Sequence, residues 1–309
     1  MPATFPPETS SAGLPACRPV DRYAVLGQPV AHSQSPFIHA EFARQTGQAL
    51  DYGRVACPLD GFASTLQAFV DAADPAAGIG PARGCNITVP FKFQVLPLAR
   101  RFSERAALAQ AANVLGLAAD GWWADNTDGI GLVRDIELQA GQVLAGKKVL
   151  LIGAGGAAAG VLGPLIGAGC GQIMVANRTP AKADQLVQRH RAWAAQHACA
   201  LHAGGLDDPG QHFDIVLNSS ASSLAGGPVP VPATVLRPGS LAIDLMYGPA
   251  ARPFLDWAAR HGATGRDGLG MLVEQAAEAF RLWRGVMPET APVLAALRTR
   301  LAAPAAAPA

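Results

Sequence analysis

From Val149 to Asn177 the chain carries no charged residue and no histidine, and it holds eight glycines. A segment so apolar is long enough to span a membrane. Its glycines and Pro164 argue against that, and its leading apolar run, Val149–Ile152, is only strand length. A buried strand, a glycine turn, a helix and a second strand account for it better. That order commits this part of the chain to a parallel α/β unit.

The flanking sequence continues the alternation. Strands are expected at Tyr23–Gly27, Asp51–Cys57, Gly84–Val89, Asn113–Ala118, Trp122–Ala124, Lys147–Ile152, Gln172–Ala176, Phe213–Asn218 and Ser240–Asp244. Helices are expected at Pro36–Thr46, Gly61–Ala73, Ser103–Gln110, Thr127 to Gly141, Gly156–Gly167, Pro180–Gln196, Arg252–His261, Leu269–Trp283 and Thr290–Leu301. Strict strand–helix alternation predicts parallel sheets with helical crossovers. Met1–Val20, with five prolines by Pro19, and the Ala/Pro tail after Leu301 read as disordered ends. No basic n-region or apolar h-region marks a signal peptide.

Composition narrows the function. The 309 residues are 50% hydrophobic and 15% charged, enough to bury a full core, and the net charge is +1. That balance offers nothing to hold nucleic acid or an anionic membrane surface. The five cysteines are scattered and form no C-x-x-C pair, so they read as small buried hydrophobes in a reducing compartment. No Cys/His spacing suggests zinc, and Ser222 and Ser223 lack a G-x-S-x-G setting.

Two patterns suggest a nucleotide. Gly153, Ala154, Gly155, Gly156 and Ala157 follow an apolar strand and open a helix, so backbone N–H groups can approach a pyrophosphate at the positive helix end. The next strand ends at Asn177, Arg178 and Thr179, with Lys182 one turn on. An NAD site would usually place an acid there, whereas Arg can pair a 2′-phosphate, so NADP is favoured.

Three polar clusters precede that unit. Ser33 and Ser35 stand at i, i+2 before Pro36, as candidate helix caps or ligand hydroxyls. Asn86 and Thr88 share one face of a strand, and Lys92 follows in what reads as a helical first turn. A cation there opposes the helix dipole, which is expected to lower its pKa. Asp125 to Gly129 concentrates carboxylates at another helix start. All three fall at strand-to-helix turns, the edge of a parallel sheet where ligands bind.

Together these segments resemble the shikimate dehydrogenase family from about Arg22 to Leu301. The matching motifs are Gly27–Pro36 (GQPVAHSQSP), Asn86–Lys92 (NITVPFK), Asp125–Gly129 (DNTDG), Gly153–Ala157, Asn177–Thr179 and Asp267–Gln275 (DGLGMLVEQ). The resemblance implies a catalytic pair, Lys92 and Asp128. It implies substrate contacts from Ser33, Ser35, Thr88, Asn113, Asp128, Tyr247 and Gln275, with Asn86 supporting that loop. Leu245 and Gly268 would lie near the nicotinamide. The chain departs from the family at Asn218–Ser223 (NSSASS in place of NATSSG), at Val114 where Thr is usual, and at Lys182 where Arg is common.

The implied fold is α/β with two domains around a cleft. A parallel-sheet substrate domain would comprise 21–128 and 268–301, and a Rossmann-like NADP domain 129–267, between a leader at 1–20 and a tail at 302–309. The implied reaction is reversible reduction of 3-dehydroshikimate to shikimate by NADPH, without a metal. The expected setting is the cytoplasm, with a small-molecule substrate as partner, neither nucleic acid nor membrane, and a monomer or homodimer as the assembly. A quinate/shikimate dehydrogenase of broader specificity is the nearer alternative, and a non-catalytic NADP-binding sensor the further one.

Overall fold

The structure is a computed structural model, and it describes residues 20–220 and 228–302. The leader 1–19, the tail 303–309, and Ala221, Ser222 and Ser223 of the Asn218–Ser223 departure lie outside the described residues. The elements are β1 (Asp21–Gly27), α1 (Ser35–Thr46), β2 (Leu50–Ala56), α2 (Phe62–Asp71), β3 (Ala82–Ile87), β4 (Arg101–Phe102), α3 (Glu104–Ala109), β5 (Val114–Ala118), β6 (Gly121–Asp125) and α4 (Asp128–Arg134). Then follow β7 (Lys148–Ile152), α5 (Gly156–Gly167), β8 (Gln172–Ala176), α6 (Pro180–Gln196), β9 (Ala200–Gly204), β10 (Phe213–Asn218), β11 (Leu236–Asp244), α7 (Arg252–Arg260), β12 (Thr264–Arg266), α8 (Leu269–Arg284) and α9 (Ala291–Ala302).

Two six-stranded sheets result. The second is wholly parallel, in the order β12-β11-β10-β7-β8-β9. Counted within that sheet, this is the doubly wound order of dinucleotide-binding folds, with its switch point between β7 and β10. Val149 to Ile152 are all buried, because helices cover both faces of their strand.

The first sheet runs β2-β1-β3-β5-β6-β4 and is mixed, parallel in its β2-β1-β3 part as expected and reversed at β5. β5 lies antiparallel to both β3 and β6. The Asp120-Gly121 turn is too short for a crossover, so it folds its strands into a hairpin. The reversal leaves the C-terminal ends of β1, β3 and β6 and the start of β5 on one edge of the sheet.

Several boundaries also differ from expectation. The segment from Thr127 is α4 followed by a π-helical turn, Asp135–Gln139. Lys92 lies in a 3-10 turn, Phe91–Gln94, not an α-helix. A single such turn has no row of aligned peptides to build a dipole, so the expectation of an opposing helix dipole lapses. α9 continues to Ala302, so Ala302 belongs to a helix rather than to the tail.

Helix α8 ties the two sheets together. Its Leu269, Val273, Ala276, Ala277 and Phe280 join Ile38 and Phe42 of α1 and Leu297 of α9 in one buried cluster. On another side it meets α4, where a Cβ at Gly131 would stand 2.6 Å from the Gln275 backbone nitrogen. α5 in turn meets the Asp125–Asp128 segment at Gly160, where a Cβ would fall 2.8 Å from Asn126 Oδ1. Contact that close requires glycine and fixes the distance between the sheets at this point.

Candidate active site

The edge shared by β1, β3, β5 and β6 gathers most of the polar residues singled out in the sequence. Lys92 Nζ donates to Asp128 Oδ2 at 2.5 Å, with side chains 15% and 6% exposed. Asn113, at the start of β5, donates through Nδ2 to Asp128 Oδ1 at 2.8 Å, to Thr127 Oγ1 at 3.0 Å and to Gln275 Oε1 at 3.0 Å. Its own Oδ1 accepts from the Thr127 N–H at 2.8 Å. Both oxygens of Asp128 are therefore engaged, and the carboxylate is aimed by one lysine and one amide.

The floor beneath them is also hydrogen-bonded. Asn86 Nδ2 donates to the Asn113 carbonyl at 3.3 Å, and Asn86 Oδ1 accepts from the Tyr52 hydroxyl at 2.6 Å. Burial pushes the Tyr52 hydroxyl well above its ordinary pKa, so it stays a proton donor to that amide. Ser35 is buried and Ser33 half-buried, and Ser33 Oγ donates to Ser35 Oγ at 3.2 Å. Neither serine caps α1, whose N-cap is Gln34 without a side-chain bond. The Ser33 hydroxyl instead accepts from the Ser35 N–H within its own turn.

Thr88 and Tyr247 are held by other contacts. The Thr88 N–H donates to the Leu26 carbonyl, and its methyl is so near Gly27 that a Cβ there would lie 2.2 Å away. Tyr247 is half-buried against the α1–α8 cluster, and burial raises its hydroxyl pKa. Gly268 is the N-cap of α8, and a Cβ on it would stand 2.3 Å from the Leu245 carbonyl, which brings those two residues into contact.

Across from Lys92 stands the start of α5. A Cβ on Gly156 would lie 3.8 Å from Lys92 Cβ and 3.5 Å from the Phe93 ring. The glycine loop of the second sheet therefore faces the turn that carries Lys92. Gly153 holds φ +107°, a conformation side chains disfavour, and Gly155 caps α5 with no side-chain bond. At the end of β8, Asn177 Nδ2 donates to the Thr179 carbonyl. The side chains of Arg178 and Lys182 are exposed there and make no hydrogen bond or ion pair with a described residue.

Asn126 of the Asp125–Gly129 motif and residues outside the quoted motifs complete the frame. Asn126 is buried, donates to the Ala111 carbonyl at 2.9 Å and accepts from the Asp128 N–H at 3.2 Å. Arg105 grips both oxygens of Asp125 at 2.7 Å and reaches Glu278 of α8 at 3.2 Å. Ser103 Oγ also donates to Asp125. The Asp125–Asp128 segment is thus fixed from α3 and α8 as well as by its own turn.

A curated relative from Methylibium petroleiphilum, named Shikimate dehydrogenase (NADP(+)), is 64% identical over 90% of this chain and 94% of its own. The chain belongs to the shikimate dehydrogenase family. Three family models agree: Shikimate dehydrogenase substrate binding domain over residues 25–115, Shikimate / quinate 5-dehydrogenase over 135–225 and Shikimate 5'-dehydrogenase C-terminal domain over 268–298. Among solved structures, a Pseudomonas putida enzyme has TM-score 0.77 at 42% identity, over 92% of this chain and 99% of its own. The Thermus thermophilus shikimate 5-dehydrogenase, in complex with NADP(H) and shikimate, has TM-score 0.72 at 30% identity, over 90% and 98%.

The residues present fit the family's cofactor. An uncapped helix start behind flexible glycines suits a diphosphate, and two unpaired cations at the end of the next strand suit a 2′-phosphate. No described helix is long and apolar enough to cross a membrane.

Proposed function

We infer that this chain catalyses the reversible, NADPH-dependent reduction of 3-dehydroshikimate to shikimate. The observation that carries the inference is the Lys92–Asp128 pair, aimed by Asn113 and facing the glycine loop of the second sheet. When bound, NADPH supplies the hydride that reduces the ketone carbon. Lys92 Nζ gives the proton to the ketone oxygen as it becomes a hydroxyl, and takes it back in the reverse direction. Asp128 holds the ammonium in place and accepts from a substrate hydroxyl. Asn113, Thr88, Gln275 and Asn86 position the ring, and Ser33, Ser35 and Tyr247 take the carboxylate.

Gly153–Ala157 would hold the diphosphate, Asn177, Arg178, Thr179 and Lys182 the 2′-phosphate, and Leu245 with Gly268 the nicotinamide. On this reading 21–128 with 268–301 forms the substrate domain and 129–267 the NADP domain. α8 packing on α1 supports the return of the C-terminal helices to the first sheet. The four described cysteines are buried free thiols, which supports a cytoplasmic setting. A net charge of +1 supports a small-molecule partner rather than nucleic acid, for a monomer or a homodimer.

Product analysis tests the reaction. Incubation with 3-dehydroshikimate and NADPH should yield shikimate, and its absence would overturn the reading. Cofactor choice is expected to rest on Arg178. A charge-assisted bond contributes roughly 1.5–3 kcal/mol, so Arg178→Ala should raise the KM for NADP about tenfold or more while the KM for NAD moves little. Equal weakening of both cofactors would show that Arg178 serves the fold instead.

A further inference from the structure

Arg54 has no part in the roles assigned above. It stands near the end of β2, beside the C-terminal edge of β1. Its Nε and one terminal nitrogen both donate to the Ser33 carbonyl, at 3.0 and 2.6 Å. Arg54 forms no ion pair with a described residue, whereas Lys92 is paired with Asp128. Its charge also works against the rise that burial causes in the Tyr247 hydroxyl pKa, so the guanidinium lies within electrostatic reach of Tyr247.

The carboxylate-reading side chains, Ser33, Ser35 and Tyr247, are all neutral. An anion brought to neutral hydroxyls loses hydration with no opposite charge to offset it. A guanidinium clamped on the backbone of the same turn offsets that cost, and its remaining N–H groups are free of described partners. We propose that Arg54 is a specificity-determining residue, the cation that selects a carboxylate-bearing substrate at the Ser33–Ser35 turn. The proposal rests on the shikimate dehydrogenase reading of the site.

Shikimate and its methyl ester separate charge recognition from loop support. With NADP saturating, Arg54→Gln should lower kcat/KM for shikimate about tenfold or more, and lower it much less for the ester. Arg54→Lys, which keeps the charge, should restore most of the preference for the acid. In the wild-type protein, added salt should raise the KM for shikimate and leave that for the ester nearly constant. This arm stands even if the variants fold poorly. An equal loss for acid and ester in Arg54→Gln would reduce Arg54 to a prop for the loop and overturn the proposal. So would an unchanged preference, or no salt effect. Absence of shikimate turnover in the wild-type protein would instead remove the underlying reading.

Discussion

Lys92→Ala is expected to cut kcat by about 10²–10⁴, the range for losing a general acid–base group. Reduction builds negative charge on the ketone oxygen, and a proton must arrive there. In this site the Lys92 ammonium is held at 2.5 Å by Asp128, in the turn that faces the start of α5. Alanine leaves Asn113 bonded to Asp128 and to Gln275, so the proposed substrate pocket keeps its frame. The KM for shikimate should therefore change far less than kcat, the pattern of an interaction made mainly in the transition state. Steady-state kinetics at saturating NADP read both values. A near-normal kcat would refute the assignment and return weight to a non-catalytic NADP-binding protein.

The second large effect concerns stability. Glu278 is buried on α8 and accepts from Arg281 at 2.8 and 3.0 Å, from Arg134 at 3.1 Å and from Arg105 at 3.2 Å. Burial alone would raise its pKa. The bond from Arg281 and the charges of Arg134 and Arg105 outweigh that and hold the carboxyl at about 2, below its ordinary 4.5. Glu278→Gln leaves three guanidinium groups around a neutral amide. Breaking one side of a buried ionic network typically costs about 3–5 kcal/mol, and denaturant unfolding at pH 7 should show a loss of that order.

The pH dependence has a definite sign. A carboxyl whose folded pKa is depressed adds stability that is complete above its unfolded pKa and is lost as pH falls through the folded value. The stability gap between wild type and Glu278→Gln should therefore narrow as pH falls from 4.5 towards 2. A gap that stays constant across that window would show that the cost is steric rather than ionic.

The parts legible in the sequence share one property: their signals are local. α5, α6, β7 and β8 lie within a residue of their expected bounds, because an apolar run, glycines and Pro180 punctuate them. Lys92, Asp128, Asn113 and Gln275 lie far apart in the chain, yet the structure brings them into one hydrogen-bonded group. Motif resemblance had already selected them, whereas spacing alone could not have joined them.

The missed parts depend on distant partners. β4, β9 and β12 are short edge strands, paired only to β6, β8 and β11. Ala-Leu-His-Ala-Gly has no alternation of its own, and the ladder of β8 imposes its form. The Asp-Gly turn marks the β5–β6 hairpin locally, whereas nothing near β5 marks its antiparallel pairing with β3. Arg105 and Glu278 are 173 positions apart, and Tyr52 and Asn86 are 34 apart. Nothing near any of them in sequence marks the contact, so the scaffold behind the Asp125–Asp128 segment becomes visible only once the helices are packed.

The most direct measurement is absorbance at the NADPH band after mixing the purified protein with NADP and shikimate. The band should grow at a rate proportional to protein concentration, should grow much more slowly with NAD in place of NADP, and should slow by about 10²–10⁴ in Lys92→Ala. No growth with NADP and shikimate, from protein shown to be folded, would contradict the proposed reaction.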